Sequence, residues 1–260
     1  MAVLRYKGED TNFEDKCVGS IIHRRYILTA AQCLWHKTGI KVDHVILGEH
    51  NKNTDIDCNV FKGPGGEEIE RECADPVQRY EVESSVYHPN FNISQYTNDI
   101  GLIRLATEVS WECKFALKCY FKYSVTRFIS THLDNIQPIC LPVTPQLRVR
   151  LFKEFIVTGW GSNERYQQHQ VLQEAVLPLA SNADCQQRSS IELTERQLCA
   201  GGGLRVQTGG GDGGGPWVTP PTTTEPCVLC NLVLLRLGWK PATKNTGTQF
   251  LPAWPVSWTG

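Results

Sequence analysis

The chain has 260 residues, 41% hydrophobic and 20% charged, with Lys+Arg 26 against Asp+Glu 27 and a formal net charge of -1. That length allows one large domain or two small ones, at about 100–200 residues each, and the apolar content is too high for a disordered chain. There is no basic excess to suit nucleic acid. The longest apolar stretch, residues 227–239, is broken by Asn231 and Arg236, short of the about 20 apolar residues of a spanning helix, so no membrane partner is expected.

In chain order, Met1-Ala-Val-Leu-Arg-Tyr-Lys-Gly opens the chain without the apolar core of a signal peptide. Strand signals then dominate. Ser20-Ile-Ile-His-Arg-Arg-Tyr-Ile-Leu-Thr29 is rich in β-branched and aromatic residues. His44-Val-Ile-Leu-Gly48, Tyr80-Glu-Val-Glu-Ser-Ser-Val-Tyr87, Ile100-Gly-Leu-Ile-Arg-Leu105, Phe155-Ile-Val-Thr-Gly159 and Val171-Leu-Gln-Glu-Ala-Val-Leu177 read the same way. Short strands between Gly, Pro, Asn and Asp clusters predict an all-β barrel or sandwich. One short helix is predicted over Asn182-Ala-Asp-Cys-Gln-Gln-Arg188, with Asn182 as its N-cap. Two segments differ in texture: residues 111–123, dense in aromatics, lysine and cysteine, and the Thr/Pro-rich run after Pro216, which reads as an extended linker.

Eleven cysteines point to disulfides and the secretory route. Only Cys227-x-x-Cys230 has the tight spacing of a zinc pair, and no second tight pair accompanies it, so no metal is expected from the cysteines. The odd count leaves one cysteine without an internal partner. The partners of Cys113, Cys119, Cys140, Cys227 and Cys230 are left open.

Five short segments carry chemistry in a fixed order: Leu28-Thr-Ala-Ala-Gln-Cys33, Asn98-Asp-Ile-Gly-Leu-Ile-Arg-Leu105, Pro138-Ile-Cys-Leu-Pro142, Val157-Thr-Gly-Trp-Gly161, and Gly211-Asp-Gly-Gly-Gly-Pro216 downstream of Leu198-Cys-Ala-Gly-Gly202. Together they resemble the trypsin-like (chymotrypsin-fold) serine proteases, from near the start to about Pro216. The resemblance implies two antiparallel six-stranded β-barrels with the active site between them. It divides the chain into a first barrel (1–105), a linker with an atypical insert (106–132), the start of a second barrel (133–218) and an atypical tail (219–260). The second barrel's closing strands are not recognisable in that tail.

The resemblance also assigns roles. The triad's aspartate falls on Asp99, its histidine on Gln32 and its nucleophilic serine on Gly213. The oxyanion-hole N–H groups fall on Gly211 and Gly213, and the specificity-pocket residue on Gln207. A neutral amide cannot take and return a proton near neutral pH as imidazole does, and glycine offers no nucleophile. His36 is a weak substitute, lying beyond Cys33 and Trp35. Asp212 is the residue that in active relatives pairs with a free amino terminus, and no Ile-Val-Gly-Gly-like start is present to supply one. Gly209 stands where the pocket's cysteine would be. The implied disulfides are Cys17–Cys33 and Cys185–Cys199, and Cys140 matches a cysteine that ties many relatives to an upstream segment.

A narrower resemblance, on Leu47-Gly-Glu-His-Asn51, Asp57-Cys58 and Cys73-Ala-Asp-Pro76, is to the arthropod clip-domain proteases, and it implies a Cys58–Cys73 bridge. It further implies a secreted, extracellular, non-catalytic homologue serving as cofactor or regulator in a proteolytic immune cascade. Its partners would be proteins: other cascade proteases, zymogens or prophenoloxidase-like proteins. Two alternatives stand beside it. One is an active serine endopeptidase, which needs His and Ser at positions 32 and 213. The other is a truncated or mis-spliced product without function, which the insert and tail favour. Asn92-Ile-Ser94 is an N-glycosylation acceptor. Glu49 and Asn51 match the start of a loop that binds calcium in some relatives, although calcium wants about six to eight oxygens.

Overall fold

Short strands rich in apolar and β-branched residues build the first half of the chain. In the computed structural model, which describes residues 1–8, 13–35, 39–110, 135–141, 152–162, 167–188, 192–201, 209–219, 233–235 and 248–251, eight strands precede residue 106. They are β1 (Ala2–Lys7), β2 (Phe13–His23), β3 (Tyr26–Thr29), β4 (Val42–Leu47), β5 (Cys58–Lys62), β6 (Glu68–Cys73), β7 (Gln78–Tyr87) and β8 (Gly101–Leu105). Six of them close a barrel in the order β1-β2-β3-β8-β7-β4, every pair antiparallel. Successive side chains of a strand face opposite sides, so Ile103 and Leu105 of β8 point inward while Leu102 and Arg104 between them are less buried. Leu4, Tyr6, Ile21, Ile27, Val45 and Leu47 fill the same interior. β5 and β6 form a separate hairpin, closed at its base by Cys58–Cys73.

The second half contributes β9 (Glu154–Gly159), β10 (Gln173–Ala180), β11 (Leu198–Gly201), β12 (Pro216–Val218), β13 (Val233–Leu235) and β14 (Thr248–Leu251). They make a six-stranded sheet in the order β13-β12-β9-β10-β11-β14. Among the described residues this sheet does not close. Phe155, Val157, Leu177, Ala200 and Trp217 form its core, with the Phe155 and Trp217 rings 5.2 Å apart. The architecture is all-β: a closed barrel and a half-barrel, the trypsin-like double-barrel arrangement.

Side chains and backbone lock the halves together. Val3, Val18 and Ile46 of the first barrel pack with Trp160, whose indole N–H donates to the His50 carbonyl at 3.0 Å. Leu172 N–H donates to the same carbonyl at 2.8 Å, and Lys52 N–H to the Gln170 carbonyl at 3.0 Å.

Three local expectations are corrected. The run from Ser20 to Thr29 is two strands, divided by a turn at Arg24 and Arg25; the Arg25 guanidinium binds the Leu105 carbonyl, at 3.1 Å from Nε and 3.0 Å from Nη2. β10 begins at Gln173 rather than Val171, because Val171 is spent on an antiparallel bridge to Asn51. The helix spans Asn182–Arg188 as expected, but its cap is Ser181. The Ser181 hydroxyl oxygen accepts from Asp184 N–H at 3.0 Å, and the hydroxyl donates to the Asp184 carboxylate at 2.7 Å, a reciprocal cap. Asn182 instead donates its side-chain N–H to the Gln197 carbonyl at 2.9 Å. The strands β1, β5, β6, β11 and β12 carry no strong run of their own and were not singled out from the sequence.

Candidate functional site

The first wall of the cleft comes from the short helix α1 (Ala31–Leu34) that follows β3. Its position is fixed from below: the Tyr6 hydroxyl donates to the Cys33 carbonyl at 2.8 Å, and burial pushes that hydroxyl's pKa up. Cys33 is bridged to Cys17. Gly101 is glycine for a reason, since a Cβ there would lie 2.5 Å from Leu34 Cδ1.

Asp99 sits just before β8 and is 2% exposed. Its Oδ1 accepts the backbone N–H of Gln32 at 2.7 Å. The turn that delivers it is unusual, with Tyr96 at φ 52 and Asn98 at φ 56. Asn adopts the left-handed region readily, whereas a bulky aromatic does so rarely. Neighbours hold Tyr96 there. It packs against the buried Cys185, Leu193 and Cys199, its carbonyl accepts from the Gln197 side chain at 3.3 Å, and burial together with the Asp99 charge raises its hydroxyl's pKa. Asn98 stands in the sequence only as the first residue of the motif over residues 98–105, and nothing there marks Tyr96 or Gln197.

The second wall is the turn from Gly209 to Gly215. Asp212, 7% exposed, accepts N–H bonds from Gly161 at 2.6 Å and from Gly209 at 2.9 Å. Its surroundings are tight enough to exclude side chains: a Cβ at Gly159 or Gly161 would lie 1.9 or 2.0 Å from its carboxylate oxygens. Gly209 packs on Ser162, whose carbonyl oxygen would be 1.8 Å from a Cβ. Gly214, at φ +79, would place a Cβ 2.2 Å from Thr29 Oγ1 and 2.4 Å from the Val18 carbonyl. The turn is tied across the cleft as well, by Val18 N–H donating to the Gly213 carbonyl at 2.9 Å.

Gly213 itself is different. Its φ lies outside the left-handed region, and a Cβ built on it would stand 3.4 Å from Gln32 Nε2, 3.5 Å from Cys17 Sγ and 3.7 Å from Cys33 Sγ. Those are ordinary contacts. The backbone does not demand glycine there, and the position faces the Gln32 amide. Gly211, at φ +105, and Gly213 are both half-buried beside it.

The structure thus brings Gln32, Asp99, Gly211 and Gly213 to one place. Among these four residues there is a buried carboxylate and a neutral amide, and none of the four side chains is a proton-transfer base near neutral pH or a hydroxyl or thiol nucleophile. Gln207 and His36 lie outside the described residues, as do Cys113, Cys119, Cys227 and Cys230. The structure contains the disulfides Cys17–Cys33, Cys58–Cys73 and Cys185–Cys199, and Cys140 is half-buried.

The loop after β4 is organised by its own N–H groups. Asp57 accepts from His50 N–H and Asn51 N–H at 3.1 Å each and from the Thr54 hydroxyl at 2.6 Å. Asn51 Oδ1 accepts from Asn53 N–H at 3.2 Å. Glu49 has its carboxyl pKa raised, by burial first and then by the Asp57 charge. Its Oε1 has no hydrogen-bond partner among the described residues. No cluster of three or more His, Cys, Asp or Glu placed to hold a metal occurs among them either. The Asn51 and Asp57 side-chain oxygens are engaged inside the loop by its own N–H and O–H groups. No helix among the described residues is long and apolar enough to cross a membrane.

The sequence profile of the Trypsin family matches residues 1–224. Among curated proteins, "CLIP domain-containing serine protease B9" of Anopheles gambiae is 33% identical over 223 residues, covering 83% of this chain and 49% of that protein. "Serine protease grass" of Drosophila melanogaster is 31% identical over 224 residues, covering 85% of this chain and 51% of that protein. The chain therefore spans about half the length of these relatives. Among solved structures, the Drosophila Grass clip serine protease of the Toll pathway superimposes with a TM-score of 0.73 at 27% identity, covering 97% of this chain and 64% of that one. The profile match extends over both walls of the cleft, and the chain belongs to the trypsin family, with arthropod clip-domain serine proteases as its relatives.

Proposed function

We propose that this is a protease-fold protein without peptidase activity, an extracellular binding module that regulates a proteolytic cascade. One observation carries the reading: the Gln32 amide faces Gly213, with Nε2 3.4 Å from where a side chain would begin. That gap is where a base would have to take a proton from a nucleophile. The amide cannot do it, and there is no nucleophile to receive it from. Without its triad, a protease of this kind keeps only about 10³–10⁴-fold catalysis over water, from binding and backbone donors.

What remains suits binding. The described cleft walls are held by Asp99 on Gln32 N–H and by Asp212 on Gly161 and Gly209 N–H, none of which needs a triad histidine or serine. A peptide segment of a partner can lie in it uncut. Relatives named for melanization, for Spaetzle processing and for the Toll pathway support a cascade protease or its zymogen as that partner. The cysteine content and the three bridges support an extracellular setting. The competing reading, an active endopeptidase, needs His at 32 and Ser at 213, and the chain has neither.

The test is reconstitution. The purified chain is added to a clip-domain protease and its zymogen substrate, and the cleavage rate of the zymogen is followed. The expected result is a changed rate with no cleavage by the chain alone. Cleavage of the zymogen or of peptide substrates by the chain alone would overturn the non-catalytic reading. An unchanged rate together with no measurable binding would overturn the regulatory one.

A further inference from the structure

We propose that Asn92 carries an N-linked oligosaccharide and that this sugar stands on the first-barrel rim of the cleft. The proposal rests on the extracellular reading above, because the modification requires entry into the secretory route.

Asn92, Ile93 and Ser94 are all exposed. The Asn92 side-chain oxygen accepts Ser94 N–H at 2.9 Å, an Asx turn of the kind that local Asn side chains form. Its Nδ2, the atom that would be modified, makes no hydrogen bond among the described residues. Attachment therefore breaks no hydrogen bond of that atom among the described residues. The loop beneath is ordered by its own bonds: Asn92 N–H donates to the Thr97 carbonyl at 3.1 Å and Phe91 N–H to the His88 carbonyl at 3.0 Å, and the Asn98 side chain donates to the Asn90 carbonyl at 2.9 Å. A sugar rooted there has a fixed base.

That base is close to the site. Phe91, the residue before Asn92, meets Trp35 edge-on with ring centroids 6.4 Å apart, and Trp35 follows the helix that carries Gln32. On the other side, the same loop runs directly into Asp99. A hydrated oligosaccharide at Asn92 covers Ile93, 37% exposed, and screens the approach over Trp35 and Phe91. A macromolecule would then reach the groove from the second-barrel side.

The donor is a lipid diphosphate-linked oligosaccharide. Asn92 Nδ2 bonds to C1 of its first sugar, the bond from C1 to the diphosphate oxygen breaks, the lipid diphosphate leaves with that electron pair, and Nδ2 gives up one proton.

The experiment expresses the full chain behind a foreign secretion leader in insect cells. The product is treated with peptide-N-glycosidase in heavy-oxygen water, and the peptide over residues 88–104 is read by mass spectrometry. The expected result is conversion of Asn92 to heavy-oxygen Asp, lost in Ser94→Ala. Unmodified Asn92 in the secreted protein would overturn the proposal, and if the chain stays in the cells, the membrane fraction is read the same way. Hydroxyl-radical footprinting then compares the glycosylated chain with Ser94→Ala. Trp35 and Ile93 are expected to be oxidised several-fold more without the sugar; equal oxidation would overturn the rim placement. Finding the natural protein only inside its source cells would sink the extracellular reading, and the leader-driven result would still stand or fall on its own.

Discussion

Two buried aspartates line the cleft, and their neighbourhoods have kept different things. Around Asp212 the contacts described above hold backbone in place. Its carboxylate takes two backbone N–H groups, and the glycines at 159, 161, 209 and 214 are required by the closeness of their neighbours. Around Asp99 the frame is equally tight, with Oδ1 on Gln32 N–H, and the side chain at 32 is a neutral amide that faces a glycine. The contacts that hold the walls do not depend on which side chains stand at 32 and 213. Asp99 binds residue 32 through its backbone, and position 213 binds Val18 through its carbonyl. The walls of the cleft are therefore held by contacts that are indifferent to the side chains at 32 and 213, which is what the proposed non-catalytic reading requires of the fold.

The comparison can be broken most forcefully by restoring the chemistry. The double substitution Gln32→His and Gly213→Ser places a serine where a Cβ has 3.4 Å of room to the residue 32 side chain. The expected outcome is fluorophosphonate labelling of residue 213 from a baseline of none, read by intact mass. An equally large effect in the opposite direction comes from Gly214→Ala. A Cβ 2.2 Å from Thr29 Oγ1, at φ +79, combines backbone strain with a clash between the walls, and a loss above about 4 kcal/mol belongs to such cases. Chemical denaturation would show it.

Asp212→Asn is a smaller change. It sets an amide N–H against one of two backbone donors, so one buried N–H loses its acceptor, at a cost of about 1–3 kcal/mol, measured as a lower denaturation midpoint. Gly213→Ser alone sharpens the contrast from the other end, since it meets only ordinary contacts. Its effect on stability should stay within about 0.5 kcal/mol, and thermal melts beside Gly214→Ala would show the difference between two glycines one residue apart.

The smallest effect concerns pH. Burial alone would raise the Asp15 carboxyl's pKa, but hydrogen bonds and charges from Arg5 and Lys52 outweigh it and hold the group below its ordinary 3.8. A depressed folded value means the unfolded chain takes up the proton first. The stabilisation is present above about pH 4 and is lost as pH falls through the folded value. Asp15→Asn should therefore flatten acid denaturation below pH 4 and lower stability slightly at neutral pH.

Much of this was legible in the sequence. The β-branched and aromatic runs of β4, β7 and β8 marked strands, and the resemblance carried by the motifs around Gln32, Asp99 and Gly213 implied the double barrel and the assignment of roles to those residues. The strand of residues 2–7 was not legible, because a short run of six has no turn signal before it and its partners lie on β2 and β4. The hairpin of β5 and β6 was hidden for another reason. Its residues are mostly exposed, so no buried face imposes a pattern, and only the two cysteines marked it. The partners of Asp212 were unreadable because backbone N–H groups carry no sequence signature. The cap at Ser181 is hard to tell from one at Asn182 in the sequence because both residue types suit an N-cap and only the contact with Asp184 separates them.

The most direct measurement is reaction of the purified chain with a fluorophosphonate probe, followed by peptide mapping of residues 209–219. No adduct is expected there, at any pH where the fold survives. An adduct in that segment would mean a nucleophile and a base are at work in the cleft, and would contradict the central claim.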